Sequence, residues 1–435
     1  MRDHQKYFAV ESADGKLAPH FLAVLNTEAD DEGREVIRHG NARVLRARFK
    51  DARFFWDFDQ KTSLADRVES LKSVTFQKEL GSYHWKTEQN LGIARVLAAI
   101  VKNAGVVFDE PALLKAVELA KTDLTAELVK EFTELQGIIG GLYSRAQGLG
   151  DTVAQAIYDQ YTPASTEDAI PSTTEGQLLG IADRIQTITA MFSIGKAPTG
   201  SRDPFALRRA ANAIIKILGE SELPLKLNDV LVLADSKLIS ASGTLAAHAN
   251  DREKAPEKRP DVSREIAEFF LERLHFYLKD VRGFAYDVVS AVLAAGADDV
   301  LDAIARAEAL TAVRGSEDFA AISAAFKRIK NILRQAEEKH FEIGSPSAVT
   351  LAPEAQQLAD AAAFLAPRVA KLREDRSYES ALAEIATLRP VVDAFFDKVM
   401  VLDPDPAVRG AHLGLIDQVL RGFSGIADFS EIVTA

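Results

Sequence analysis

Residues 203–219 read Asp203-Pro204-Phe205-Ala206-Leu207-Arg208-Arg209-Ala210-Ala211-Asn212-Ala213-Ile214-Ile215-Lys216-Ile217-Leu218-Gly219. Asp is a strong N-cap, Pro suits the first helical turn, and Gly ends a helix without a steric penalty. Phe205, Leu207, Ala211, Ile214, Ile215 and Leu218 supply an apolar side, while Arg208, Asn212 and Lys216 form an i, i+4, i+8 stripe with Arg209 beside it. The stretch predicts an amphipathic helix opening at Asp203. The same three- and four-residue spacing runs through Leu64–Leu80, Gly92–Asn103, Glu110–Leu119, Leu124–Leu135, Val153–Tyr161 and Gln177–Phe192. Loops are expected at 162–171 and 195–200, where Pro and Gly interrupt the period.

Toward the N-terminus the pattern changes. Tyr7–Val10 and Phe21–Leu25 are short runs of β-forming residues separated by Asp14-Gly15, a turn dipeptide, which predicts a hairpin. Toward the C-terminus, residues 249–262 are charged, carry two Pro and lack large apolar side chains, so they read as a linker. Four to six further helices are expected beyond it, broken near Gly344–Pro346, Pro353 and Asp403–Pro406. The fold class expected is mainly α with a short N-terminal β hairpin.

Composition narrows function by exclusion. A chain of 435 residues has room for roughly three domains, and 47% apolar content supplies their cores. No apolar run reaches the ~18 residues of a membrane span, and residues 1–30 lack a signal peptide's apolar segment, so a soluble, cytoplasmic protein is expected. The absence of Cys removes disulfides, thiolate nucleophiles and Cys-based metal sites, and the eight His show no HExxH spacing. At a net charge of −12, a nucleic-acid binder must concentrate its positive charge locally.

Nucleotide and hydrolase signatures are missing: there is no GxxxxGK[ST], no GxGxxG after a strand and no GxSxG. Gly137-Ile138-Ile139-Gly140-Gly141 lies between helical segments and reads as close helix packing. Asp393 and Asp397, at i,i+4 spacing, read as a solvated helix face. Basic clusters are more informative. Arg34–Arg53 holds seven basic residues against two acidic ones, Arg43, Arg46 and Arg48 among them, interleaved or flanked by Phe49, Phe54, Phe55 and Trp56. A second basic face is the Arg208, Arg209, Lys216 stripe. A third lies at 326–340, where Lys327, Lys330, Asn331 and Arg334 stand opposite Phe326, Ile329, Leu333 and Ala336. Each is either a solvated helix face or a phosphate-contacting surface; three on an acidic chain favour a polyanion-binding helical protein.

Several strings resemble the β subunit of bacterial, α2β2-type glycyl-tRNA synthetase. They are Asp3-His4-Gln5-Lys6-Tyr7-Phe8, the run from Val44 to Phe55, Glu131-Phe132-Thr133-Glu134-Leu135-Gln136-Gly137, the run from Asp203 to Ala211, and Asp393-Ala394-Phe395-Phe396-Asp397-Lys398-Val399-Met400-Val401. The likeness extends to Ala427-Asp428-Phe429-Ser430. It implies four segments: an N-terminal β remnant and basic helix (1–58), an HD-like helical domain (59–248), the linker (249–262), and a C-terminal helical domain (263–435) similar to the anticodon-binding domain of arginyl-tRNA synthetase. Family β subunits are longer at the N-terminus, so a C-terminal portion is expected, with the hairpin as the remnant of a larger sheet.

By the same resemblance, a separate α subunit carries the ATP-using active site, and this chain grips tRNA(Gly), with no catalytic residue, no cofactor of its own, and neither DNA nor membrane as partner. The expected tRNA contacts are Arg43, Arg46, Arg48, Arg208, Arg209, Lys216, Lys327, Lys330, Arg334 and Arg409. HD phosphohydrolases bind metal through a first His, an adjacent His-Asp pair and a later Asp. Here Thr122-Asp123 stands at the pair and Asp183 at the later Asp, with His84 the nearest upstream His. One His and two Asp make a poor transition-metal site, so no metal is expected. The competing readings are a degenerate HD-type metal-dependent phosphohydrolase and a helical protein-binding scaffold.

Overall fold

A computed structural model describes residues 6–233 and 262–433. Asp3-His4-Gln5 and residues 249–261 of the expected linker lie outside the described residues. β1 (Tyr7–Glu11) and β2 (Leu17–Ala23) pair antiparallel, with Tyr7 opposite Ala23 and Ala9 opposite Phe21. The turn uses Gly15 at a φ of +75°, a conformation open to a residue without Cβ. α1 (Asp31–Asp59) follows, its first turn capped by the Asp30 carboxylate, which accepts from the Gly33 N–H at 2.8 Å.

The helix expected over Leu64–Leu80 is shorter. α2 (Leu64–Ser70) stops in a 3₁₀ turn, and Thr75–Gln77 pairs as β3 with β4 (Gly81–Ser82). Val74, Thr75 and Phe76 are β-formers, and that local preference outweighs the apolar spacing. The chain continues through α3 (Tyr83–Asn103), α4 (Glu110–Leu119), α5 (Glu127–Glu131), α6 (Ile138–Ala146), α7 (Asp151–Tyr158) and α8 (Thr174–Ser193). The stretch 124–135, expected as one helix, is instead α5 between two 3₁₀ turns. α8 is the post of the first core: every residue from Leu178 to Phe192 except Thr187 is buried.

α9 (Leu207–Glu220) begins four residues later than the sequence predicts. Ala206 turns left-handed at φ +56°, yet Asp203 still caps, its carboxylate accepting from the N–H of Leu207 at 2.8 Å and of Arg208 at 3.0 Å. Gly219 does not end the helix. It lies inside it, where a Cβ would stand 2.9 Å from Ile304 Cδ1 and 3.2 Å from Val300 Cγ1. That glycine lets α9 pack directly on Val300 and Ile304, which join the first core.

α10 (Leu227–Val232) and α11 (Val262–Phe276) extend the first core, the latter through Ile266, Phe269, Phe270 and Leu274, and Val289, Val300 and Ile304 join it from beyond. The helix expected to open the C-terminal unit therefore packs backward, with the Phe269 ring 5.3 Å from that of Phe192. A polar, Pro-containing stretch marks where the chain lacks core residues, and packing decides which core the next helix joins. The second core is built by α12 (Tyr286–Ala294), α13 (Val300–Val313), α14 (Glu317–Glu338), α15 (Pro353–Glu374), α16 (Tyr378–Ala386), α17 (Arg389–Lys398) and α18 (Pro406–Phe423). Eight α-helices thus follow residue 261 among the described residues, more than the four to six expected. No described helix is long and apolar enough to cross a membrane.

Candidate nucleic-acid interface

α14 buries Phe319, Ile322, Phe326, Ile329 and Ala336, and this stripe turns Lys327, Arg328, Lys330, Asn331 and Arg334 outward. Their environments differ. Lys327 makes no ion pair among the described residues, and Arg334 stands 4.0 Å from Glu338. Lys330 is tied to Asp428 at 2.6 Å and faces Glu431 at 3.6 Å, and the hydrogen bond to Asp428 lifts its ammonium above the usual lysine value. Its charge is mostly spent within the fold.

Two guanidiniums, one on this helix and one on α18, lie on aromatic rings. Arg328 sits 4.2 Å from the Phe396 ring centre, on α17. Arg409, in the first turn of α18, lies 4.1 Å from the Phe341 ring and donates to the carbonyls of Asp403 (2.8 Å) and Pro404 (3.3 Å). A guanidinium held this way keeps a flat face and some free N–H groups, the combination that stacks on and hydrogen-bonds to unpaired bases. Sequence reasoning found Arg409 but not Phe341, because no spacing links them. In the string from Asp393 to Val401, Phe395 and Val399 are buried, whereas Met400 is 66% exposed.

The other basic residues divide similarly. In α9, Arg209 is exposed, while Arg208 donates to the carbonyls of Gly200 at 2.7 Å and Arg202 at 3.4 Å. Lys216 is buried against Glu220 at 2.6 Å, so the expected i, i+4, i+8 basic stripe is not a continuous free surface. In α1, Arg43 and Arg46 are exposed and Arg48 pairs with Glu131 at 2.8 Å. α1 is pinned at its C-terminal end by Asp59, a residue the sequence reading missed. This buried carboxylate accepts from Arg67, the Tyr143 hydroxyl and the N–H groups of Glu127 and Leu128, all at 2.9–3.0 Å.

The residues at the HD motif positions do not converge on one point for a metal. Asp183 accepts from Lys121 and Lys86, each at 3.0 Å, and from Asn90 at 2.9 Å. Lys121 also lies 4.1 Å over the Tyr161 ring. Burial opposes charge throughout, but the two ammoniums hold Asp183 well below the usual carboxylate range, and Asp183 lifts Lys121 above the usual lysine value. Lys86, more penalised by burial, falls to about 8. Asp123 points elsewhere: one oxygen accepts from the N–H of Gly137 (2.6 Å) and Gly140 (3.1 Å) at the start of α6, and burial pushes the carboxyl up to about 6. Thr122 donates to the Leu119 carbonyl, and His84 faces Glu69 and Glu88 at 3.8 Å. Among the described residues no three His, Cys, Asp or Glu side chains form a metal-binding group. Lys121, the residue before Thr122, was the overlooked signal.

The glycines at 137–141 serve packing: a Cβ on Gly141 would stand 2.7 Å from the Ala154 carbonyl oxygen, and one on Gly140 3.1 Å from Asp123. Asp393 and Asp397 are both exposed, as a solvated face requires.

Residues 1–294 match the family described as glycyl-tRNA synthetase beta subunit, and residues 322–426 match the DALR anticodon binding domain. The chain belongs to the glycyl-tRNA synthetase β-subunit family. It is 62% identical to the glycine–tRNA ligase β subunit of Acidobacterium capsulatum over 100% of its length, and 41% identical to those of Phenylobacterium zucineum and Myxococcus xanthus over 99%. It spans about three-fifths of each of these relatives (60%, 60% and 59%). Within this β-subunit family member, Lys327, Arg328, Lys330, Arg334, Phe341, Phe396 and Arg409 all fall inside the anticodon-binding match.

Proposed function

We propose that the chain is a tRNA-binding portion of the β subunit of glycine–tRNA ligase, positioning tRNA(Gly) for glycylation by a separate α subunit that uses ATP. In this reading it belongs to the ligase without supplying a chemical group, and its contribution is orientation of the tRNA end in the partner's site. It works in the cytoplasm and holds no cofactor of its own. The observation that carries the proposal is the outward face of α14, with Lys327 and Arg334 nearly free and Arg328 laid on an aromatic ring, together with Arg409 of α18 laid on another, all within the anticodon-binding match. Lys327 and Arg334 suit phosphate contacts, which fix register, and Arg409 suits base reading. Arg43, Arg46 and Arg209 are further phosphate contacts; Arg48, Arg208, Lys216 and Lys330 contribute less because acidic groups or carbonyls already hold them. The HD-type hydrolase reading is disfavoured by the ammonium-filled pocket around Asp183.

The test is a titration of the chain with glycine tRNA and with an anticodon-altered version at several salt concentrations. Lys327→Ala and Arg334→Ala are expected to weaken both tRNAs alike and lower the salt slope by about 0.7 to 0.9 per contact. Arg409→Ala should shrink the affinity ratio between them. Salt-independent or absent tRNA binding would leave the scaffold reading in its place.

A further inference from the structure

One side of α1 meets the body: Ala52, Phe55 and Trp56 pack against the first core, Asp59 is buried, and Arg48 pairs with Glu131. Another side, at Ala42, Leu45 and Phe49, lies under the hairpin. A third is left in solvent. Arg46, Lys50, Phe54 and Phe58 recur every four residues, so they follow one another along about 18 Å of helix, and all four are exposed. Arg46 and Lys50 form no ion pair among the described residues, whereas Arg48 and Arg53 do. Phe54 is 64% exposed and Phe58 47%. Their rings lie 6.4 Å apart and 20° from parallel. The Phe55 ring, which packs on the core, meets Phe54 in a T-shaped contact at 5.7 Å and steadies it. Beyond the helix, the Lys61 ammonium stands 5.5 Å from the centre of the Phe58 ring. Two flat rings in solvent are thus bracketed by cations, Lys50 before them and Lys61 after.

That order of groups matches one chemistry. An unpaired nucleic-acid strand presents phosphates and flat bases together, and sites for it combine a positive track with aromatic rings on which bases stack. A membrane-surface helix separates its cations and apolar groups onto opposite faces, whereas here they share one line. A symmetric dimer on this side would set Arg46 and Lys50 beside their own images. We propose that the Arg46–Phe58 side of α1 binds an unpaired stretch of RNA, its bases stacked on Phe54 and Phe58 and its phosphates held by Arg46, Lys50 and Lys61. The choice of RNA rests on the tRNA-binding reading above, and the single-stranded form rests on the exposed rings. Stacking tolerates every base, so this side adds affinity for unpaired nucleotides without reading their sequence.

The experiment titrates the chain with two fluorescent probes, an unpaired RNA of about ten nucleotides and a blunt RNA duplex, at several salt concentrations. Phe54→Leu with Phe58→Leu keeps apolar bulk and removes the flat rings. It should weaken the unpaired probe about tenfold or more with an unchanged salt slope, and leave the duplex alone. Phe54→Tyr with Phe58→Tyr should bind as the original does, and Lys50→Ala should instead lower the slope by about 0.7. Because both rings are exposed, the melting temperature should hold in each variant. Unchanged affinity for the unpaired probe in the leucine pair would overturn the proposal; if glycine tRNA still bound, the tRNA reading would stand. Equal losses on both probes would overturn it too, since stacking would not distinguish them. So would a dimer that forms with rising concentration and vanishes in Phe54→Asp, since a second copy would then be the occupant. If neither probe nor glycine tRNA binds, both readings fall.

Discussion

Asp123 and Asp183, both placed at HD positions by the family resemblance, share a buried setting, yet their protons respond in opposite directions. Burial pushes the Asp123 carboxyl up to about 6 against an ordinary 3.8, and its other oxygen has no hydrogen-bond partner among the described residues. A raised folded value contributes stability that is full below about pH 4 and lost as the pH rises through 6. In Asp123→Asn, the amide oxygen takes over the bonds from Gly137 and Gly140 that Oδ2 accepts but does not titrate, so urea unfolding should lose this downward slope, on the order of 2–3 kcal/mol. Asp183 is held low by Lys121 and Lys86, so its contribution is present above about pH 4 and disappears below it, outside the Asp123 window. Asp183→Asn leaves two buried ammoniums facing a neutral amide and should cost about 3–5 kcal/mol at pH 7, measured by the same unfolding curves. The two carboxylates are singled out from the sequence through the family resemblance. That lysine ammoniums occupy the neighbourhood of Asp183 was not legible there, because Lys86 and Lys121 reach it from different helical segments.

At the scale of elements, the basic helices divide into free and committed charges. Arg208 in α9 is spent on the carbonyls of Gly200 and Arg202, whereas Arg209 is exposed. Arg208→Ala should lower the melting temperature and leave tRNA affinity nearly unchanged, and Arg209→Ala should do the reverse; paired melting and filter-binding measurements distinguish them. The α6–α7 crossing is equally specific. Gly141→Ala places a Cβ 2.7 Å from the Ala154 carbonyl oxygen and from Tyr158 Cβ, and should destabilise by about 1–3 kcal/mol in urea unfolding. Apolar spacing had shown that α7 and α9 exist, since periodic burial is a local property of the chain, but it did not mark α6, whose glycines read as lying between helices. It placed the start of α9 wrongly because Asp203 caps through a left-handed turn at Ala206, a geometry no propensity distinguishes from a direct cap.

Across the whole molecule, two cores meet where α9 crosses α13 through Gly219, Val300 and Ile304. A truncation after residue 298 removes Val300 and Ile304 from the first core, so it should unfold at lower denaturant than one ending at Arg314, which keeps α13. If the C-terminal unit reads the anticodon, the chain ending at Arg314 should bind normal and anticodon-altered glycine tRNA equally. The intact chain, carrying no nucleotide-binding signature, should show no glycine-dependent pyrophosphate exchange on its own.

The sequence by itself determined that this protein is mainly helical, that a hairpin precedes the helices, and to which family it belongs, because periodicity, turn dipeptides and long matching strings are local and survive without coordinates. Only the tertiary structure decided which charges are available, which core Val262–Phe276 joins, and that Lys86 and Lys121 surround Asp183 while Asp123 caps α6. Those outcomes depend on contacts between residues far apart in the chain, such as Lys121 with Asp183, Arg409 with Phe341 and Gly219 with Ile304. Packing selects such partners by shape and distance, and their spacing along the sequence carries no trace of the choice.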